Sequence, residues 1–414
     1  MPHTVVMVTT SYPRFEGAPV GPFLAPIAHG VAARGHEVHV VAPWHPRLAR
    51  PVREGAVRFH FFKYAPHPAL NVFGYAGGLR ADTALRGAAW AVAPLALVAG
   101  WRLARRVARA HRATVMHGHW VIPGGAIAAY AAGGRPLVVS LHGSDVFVAE
   151  KHAVAGRIAH QVFAQAGFVT ACSADLRDRA VRLGARRERT EVVPYGVDTA
   201  RFAPLTSATA RAEARAALGV PADAPLVFAV GRLVRKKGFE YLVDAVARLA
   251  ATQPHVACVI AGAGDLDAEL RARARERGVA DRVHFPGLLP HDRIAAAMAA
   301  ADVVAVPSVR DDAGNVDGLP NVVLEALATA TPVVATPAGG IAAVIDDGVD
   351  GRLVPERDSV ALADAIASLL DAPDRARALG LAARDRVERH HGWAHVAERF
   401  EAAYDTAAAG PQGW

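Results

Sequence analysis

Cysteine is nearly absent: the chain of 414 residues has two, Cys172 and Cys258, far apart and each inside an apolar run. That argues against a disulfide framework or a thiolate metal site, and for buried reduced thiols in a cytoplasmic protein. The start, "MPHTVVMVTTSYP", lacks the basic cluster and long apolar core of a signal peptide. A membrane-spanning helix needs about twenty apolar residues. The longest uncharged apolar run, Gly87 to Trp101, stops at fifteen and is broken by Pro94. Short tandem repeats are missing, and so is any basic surface interleaved with aromatics, which removes nucleic acid from the expected partners.

What is present is a long chain, 52% hydrophobic and 21% charged with 37 glycines. It is too long for one core and has the composition of a globular α/β protein, so two domains are expected. Short β-branched runs alternate with Ala/Arg-rich helical stretches, the pattern of parallel sheets covered by helices. In the first half the candidate strands are Val5–Thr9, Val38–Val41, Val57–Phe61, Thr114–Met116, Leu137–Ser140 and Phe168–Ala171. In the second half they are Leu226–Val230, Val256–Ala261, Val283–Phe285, Val303–Val306, Val333–Ala335 and Gly351–Val354. Each half reads as a doubly wound, Rossmann-like sheet. The segment "VVPYGVDTARFAPLTSATA" carries the turn residues and prolines of a linker. The expected domains are therefore 1–200 and 201–395, with 396–414 a C-terminal helix and tail able to pack on either domain, including back on the first. Charge is uneven. Residues 1–200 hold 23 Lys and Arg against 11 Asp and Glu, a balance of +12, while the remainder carries −5. The basic first half points to an acidic surface or anionic ligand.

Ligands of doubly wound sheets bind outside the carboxyl ends of the strands, and most of the motifs fall there. "GRLVRKKGFEYL" follows Leu226–Val230: Gly231 permits a tight turn, and Arg232 and Lys237 flank a loop that opens a helix near Phe239. Two cations beside a helix N-terminus suit a diphosphate, although a solvated basic loop would use the same residues and Arg235 and Lys236 add unspecific charge. In "GAGDL", Gly262 and Gly264 allow close backbone approach, as would an ordinary strand-to-helix turn. "LHGSD" places His142 at a strand end with a glycine beside it, able to face a cleft. "MHGHW" adds His117 and His119, but no cysteine or paired carboxylate completes a zinc ligand set. The acids of "DLD", 265–267, are better explained by helix capping, and those of "RDD", 310–312, by a solvated loop. In "VDGLPNVVLEALATATPVVAT" the residues after Pro320 are apolar on every side, so the helix is buried. Glu325 inside it needs a partner, and Asp317 waits in the preceding loop.

Taken together, "ARGHEVHVV", "MHGHW", "SLHGSD", "VVPYGVDTARF", "VGRLVRKKG", "IAGAGD" and "DGLPNVVLEALATATPVVAT" resemble the retaining glycosyltransferases of family four, over nearly the whole chain. The most specific piece is an acid, seven residues, then Glu: here Asp317 and Glu325. The resemblance implies a GT-B fold, two Rossmann-like domains facing across a cleft, with the acceptor bound by the first domain and a nucleotide-sugar donor by the second. It implies that Glu325 accepts hydrogen bonds from the donor's ribose. Arg232, Lys237 and Gly21 would bind the diphosphate, and Gly231, Gly262, Asn321 and Val322 the sugar and nucleotide. Asp317, Glu325 and His142 would form the catalytic set. Three departures stand out. Asp317 replaces the family's usual Glu, Pro320 replaces a common glycine and removes a backbone N–H, and the first loop lacks its double glycine, leaving Gly17 or Gly21.

The implied reaction moves a sugar to a hydroxyl acceptor with retention. Cations and helix dipoles would meet the leaving-group charge, so no metal and no other cofactor is required. Residues 86–112 begin apolar, with Trp90 and Trp101, and continue through Arg102, Arg105, Arg106, Arg109 and Arg112. Such a helix can lie in a membrane interface, or pack on the sheet with a solvated basic end. A carbohydrate or lipid-linked acceptor, handled at the inner face of the membrane, would suit the first. The alternatives are a nucleotide-sugar epimerase of the same architecture, a metal-dependent transferase of another fold relying on Asp265 or Asp267, and a non-catalytic carbohydrate-binding member.

Overall fold

Runs that are apolar on both faces are satisfied only between two helical layers, and in the computed structural model they form parallel strands. The structure describes residues 1–410 except 16–17, 19, 72, 76–78, 81–83 and 86. The chain forms two compact units, Met1–Pro194 with the chain from Trp393 onward, and Tyr195–Gly392.

The first unit contains β1 (Thr4–Val8), β2 (Glu37–Pro43), β3 (Arg53–Glu54), β4 (Val57–Phe62), β5 (Leu79–Arg80), β6 (Ala84–Leu85), β7 (Val115–His119), β8 (Leu137–Leu141), β9 (Phe168–Ala171) and β10 (Thr190–Val192). Its helices are α1 (Leu24–Ala33), α2 (Gly87–Ala110), α3 (Ala126–Ala132), α4 (Ser144–Lys151), α5 (Ala153–Gln165) and α6 (Ala174–Arg182). The main sheet runs β10-β9-β8-β7-β1-β2-β4-β3 and is parallel except at the β3–β4 edge. β5 and β6 pair separately. Val5, Met7, Ile27, Val31, Val40, Phe59 and Val138 belong to its core.

The second unit contains β11 (Leu226–Val230), β12 (Ala257–Ala261), β13 (Val283–His284), β14 (Val303–Val306), β15 (Val333–Ala335) and β16 (Arg352–Leu353). Its helices are α7 (Ala208–Ala216), α8 (Phe239–Thr252), α9 (Asp267–Glu276), α10 (His291–Ala300), α11 (Asn321–Ala328), α12 (Ser359–Leu370) and α13 (Pro373–His390). The sheet order is β13-β12-β11-β14-β15-β16, all parallel. Strand order reverses between β11 and β14, which makes their carboxyl ends the switch point where ligands bind in such sheets. In the first unit the reversal lies between β1 and β7.

The last helix, α14 (Trp393–Ala408), returns to the first unit and sends Val396, Phe400, Ala403 and Tyr404 into its core. The chain passes between units at 194/195 and 392/393, a few residues before the boundaries read from the sequence. The reason is local pairing: Val197 N donates to His391 O at 2.8 Å and Val197 bridges Gly392, so the "PYGVD" stretch is held against the second unit's last residues. One capping expectation needs correcting. Residue Leu266 precedes α9 with no side-chain cap, and Asp267 instead sits in the first turn and pairs with Arg271 at 3.0 Å. There the carboxylate complements the helix dipole without capping it.

Candidate active site

In the second unit the switch point is built by glycines that let four loops come within van der Waals contact. Gly231, one residue past β11, donates to Ala261 O at 3.0 Å, and Gly262, one past β12, donates to Gly287 O at 2.8 Å. At Gly262, φ is +142° and a Cβ would lie 1.8 Å from Gly231 O, so no other residue fits. Gly238 enters α8 at φ +65° and would collide with Pro307 O, beyond β14, in the same way.

Lysine and acid meet on this platform. Lys237 Nζ lies 2.6 Å from Asp317 Oδ2 and Lys236 Nζ lies 2.8 Å from Oδ1, with all three side chains largely buried. Burial opposes ionisation of Asp317, but Lys237 and Lys236 outweigh it and hold the carboxyl well below the usual carboxylate range. Lys236, set aside in the sequence as unspecific charge, is thus half of the clamp on Asp317. Arg235 is engaged elsewhere, in a two-pronged pair with Glu269 at 2.7 Å. Arg232, at the end of β11, is exposed.

The buried helix is α11, with Val323, Leu324, Ala326, Leu327 and Ala328 all in the interior. Among the described residues no group hydrogen-bonds or ion-pairs with the Glu325 carboxylate. Burial pushes its pKa up to about 7, with Lys237 and Arg201 acting in the opposite direction. At the start of α11, Asn321 Oδ1 is buried without a hydrogen-bond partner, as is Ser308 Oγ beyond β14. The site therefore presents a partnerless carboxylate, two orphaned polar atoms, a helix N-terminus and three cations. It suits a ligand that carries both hydroxyls and negative charge. Arg201 and Ser308 were not singled out in the sequence; Arg201 lies in the quoted "VVPYGVDTARF", but only its field at Glu325 marks it.

In the first unit His142 follows β8. Its Nε2 lies 3.1 Å from His119 Nδ1, and its ring packs on Phe23 and Trp120 with centroids 4.6 and 4.7 Å away. Burial and His119 keep His142 well below the usual histidine value, and burial takes His119 down to about 3. Both are neutral imidazoles at pH 7, fit to exchange hydrogen bonds with a hydroxyl and unfit to carry a proton as imidazolium. His117 is spent on structure: Nε2 bonds Ser140 Oγ at 2.7 Å and Nδ1 bonds Tyr404 Oη at 2.9 Å. The loop bearing His142 is set by Asp145, which accepts from Val121 N at 2.7 Å and Gly143 N at 3.0 Å. Burial lifts Asp145 to about 6 against those amides. Nothing in "LHGSD" distinguishes Asp145 from a helix-start acid, so its role is visible only in three dimensions. Gly21, between β1 and α1, has φ +63° and a Cβ there would lie 2.2 Å from Ser11 O. Gly17, its alternative, lies outside the described residues. The acids of 310–312 serve a loop: Asp311 accepts from Asn315 N at 2.8 Å, and Asp312 pairs with Arg357 at 2.9 Å.

Helix α2 includes Pro94 and carries an exposed stripe of Leu95, Val98, Arg102, Arg106 and Arg109. Trp101 is half-buried and donates Nε1–H to Tyr130 O at 3.1 Å. The side chain of Trp90 lies outside the described residues. No helix among the described residues is long and apolar enough to cross a membrane.

Residues 20–196 match the family model of the glycosyl transferase 4-like domain, and residues 210–386 that of glycosyl transferases group 1. A GDP-mannose-dependent alpha-(1-6)-phosphatidylinositol monomannoside mannosyltransferase of Mycolicibacterium smegmatis is 37% identical over 61% of this chain; the match spans 65% of that relative, just under two thirds of its length. An alpha-maltose-1-phosphate synthase of the same organism is 33% identical over 73% of this chain and 81% of its own. Among solved structures, Anabaena HepE in complex with UDP superposes with a TM-score of 0.76 at 22% identity, covering 98% of this chain and 100% of that one. At that identity the likeness speaks for the fold alone.

Proposed function

Because this chain belongs to the glycosyltransferase group 1 family and has the GT-B fold, we propose that it is a retaining, metal-independent glycosyltransferase. It takes a sugar from a nucleotide-diphosphate donor and passes it to a hydroxyl of a lipid-linked, cell-envelope or polysaccharide precursor. The observation that carries this reading is Glu325: a half-buried carboxylate with no hydrogen-bond or ion-pair partner among the described residues, its pKa raised to about 7 by burial, in the helix that follows the Lys236–Lys237–Asp317 cluster at the switch point. A ribose diol supplies two O–H donors, which is the partner such a carboxylate lacks.

In this reading Arg232 and Lys237 take the diphosphate, and the amides at the start of α11, near Asn321 and Val322, face sugar hydroxyls or phosphate. Negative charge grows on the departing diphosphate while positive charge develops at the anomeric carbon. The cations and the helix end are aimed at the former, which is why the step asks for no metal. Retention fits front-face attack, in which the leaving phosphate takes the acceptor's proton. Asp317, ionised and clamped, faces the developing positive charge, and neutral His142 offers a hydrogen bond to a sugar hydroxyl. The lipid-linked acceptor is supported by the α2 stripe, apolar at one end and basic at the other, and by the phosphatidylinositol mannoside substrate in a relative's name.

The test is a thermal-shift screen of UDP-, GDP- and ADP-sugars with EDTA present. Binding at a hundredfold excess over Kd stabilises the folded state by about 2.7 kcal/mol. One nucleotide series is expected to raise the wild-type midpoint, and Glu325→Ala and Lys237→Ala are expected to abolish the response. A shift that survives in both variants, or that requires a divalent metal, removes the assignment.

A further inference from the structure

Three histidines distant in sequence meet on the first unit's sheet, away from the loops that carry His142. His39 is fully buried in β2, His60 lies in β4, and His111 follows the last residue of α2. In the β2–β4 register Val41 faces His60, so His39 and His60 are two positions apart on the same face. α2 packs across both strands and ends at His111. His39 Nδ1 and His60 Nε2 are 3.0 Å apart, the rings of His39 and His111 are 4.0 Å apart, and one nitrogen from each residue falls within 4.8 Å of the others.

We propose that His39, His60 and His111 form a three-histidine site for a divalent transition metal of the zinc class, with water completing the tetrahedron, tying the end of α2 to β2 and β4. Tetrahedral zinc with Zn–N bonds of about 2.0–2.1 Å sets its ligand nitrogens about 3.4 Å apart. The pair in the strands is already near that spacing, and His111, in the turn after a helix, has the freedom to close the rest. A second observation points the same way. His39 Nε2, buried and without a hydrogen bond, lies 3.3 Å from Glu37 Oε1. A histidine that ligates through one nitrogen usually gives its other N–H to a carboxylate, which fixes the ring.

The surroundings choose the metal. Glu37 is shared with Arg58 at 3.5 Å, and the guanidinium groups of Arg58 and Arg106 also act on His60. A cation held by charge alone would be repelled here, and no carboxylate stands among the three ligands. Calcium and magnesium, which need oxygen ligands, are disfavoured, whereas imidazole lone pairs suit zinc, cobalt, nickel or copper. Sequence reading looked for zinc in "MHGHW" and missed this set, because its members lie in three separate elements.

The experiment uses the full chain without an affinity tag, stripped with chelator and dialysed. It is titrated with Zn2+ by calorimetry and with Co2+ by visible absorption. One equivalent per chain is expected, with the d–d bands of tetrahedral Co2+ and a Zn2+-dependent rise in the melting temperature that Mg2+ and Ca2+ do not reproduce. His60→Ala and His111→Gln, both at half-buried positions, are expected to fold by circular dichroism and to lose the metal. Glu37→Gln should bind it at least about tenfold more weakly. The proposal is overturned if the stripped wild type binds no Zn2+, if stoichiometric binding survives both histidine substitutions, or if Mg2+ serves equally well.

Discussion

At Glu325, burial favours the neutral acid and only the fields of Lys237 and Arg201 favour the carboxylate, and the balance leaves the pKa near 7. The unfolded chain gives up this proton more readily than the folded one. The stability tied to it is therefore complete below the ordinary glutamate value and is lost as pH rises through about 7. Glu325→Gln cannot ionise. Without ligand, the variant should melt with wild type at about pH 5 and above it at about pH 8, where wild type carries the half-buried charge. Parallel melting curves at both pH values would show that Glu325 is ionised without strain and that the partnerless carboxylate is no ligand signal. The same substitution removes a charged acceptor from the proposed ribose site, so it should gain stability while losing donor response. Residues built for binding show that opposition, whereas purely structural residues lose both together.

Elements impose a different kind of constraint. α2 must bury one face on β2 and β4, and what remains outward is the stripe of Leu95, Val98, Arg102, Arg106 and Arg109. If that stripe meets a membrane, each arginine near an anionic surface contributes about 1 kcal/mol, an attraction that salt screens. The Arg102→Glu, Arg106→Glu double variant is expected to lose at least tenfold in partitioning to vesicles containing anionic lipid, with unchanged binding to neutral vesicles and an unchanged fold. Equal partitioning of wild type to both vesicle types would return the stripe to a solvated helix face. α14 shows the opposite case, an element read as free to pack on either domain. Its apolar face fills the first unit's core, and Tyr404 supplies the hydrogen bond that the wholly buried His117 Nδ1 needs. Losing Phe400 alone would cost about 3–5 kcal/mol.

At the scale of the molecule, the two units differ in how the chain builds them. The second is one continuous stretch, residues 195–392, with its own core and the whole Glu325–Lys237–Asp317 arrangement. The first needs two stretches, since α14 arrives from the far end of the chain. A fragment of residues 195–392 is therefore expected to unfold cooperatively and to keep a thermal shift with the nucleotide diphosphate that stabilises the full chain. A fragment of residues 1–194 is expected to lack a cooperative transition until the α14 segment is supplied. A second-unit fragment that is folded but blind to nucleotide would mean that the proposed donor site is not complete within that unit.

Local pattern alone determined a good deal. Runs such as "LVFAV" and "ACVIA" are apolar on both faces and fit parallel strands under helices, so the α/β class and the apolar strands were legible, whereas the short β3, β5, β6 and β10 were not. The acid of α11 was legible for the same reason, because a charge inside an all-apolar helix contradicts its surroundings. The turn at Gly231 was legible too, while the sequence left Gly262 open between an ordinary turn and the close approach that the contact with Gly231 O reveals. Tertiary structure decided whatever depends on through-space partners. Lys236 looked like unspecific charge until Asp317 came within 2.8 Å, and Asp145 drew no reading until it accepted the amides of Val121 and Gly143. His39, His60 and His111 shared no motif, and α14 carried no mark of which core it would join. Hydrophobic periodicity is written in neighbouring residues. A charge pair, a shared proton or a cluster of imidazoles is written only in distances, and those exist once the chain has folded.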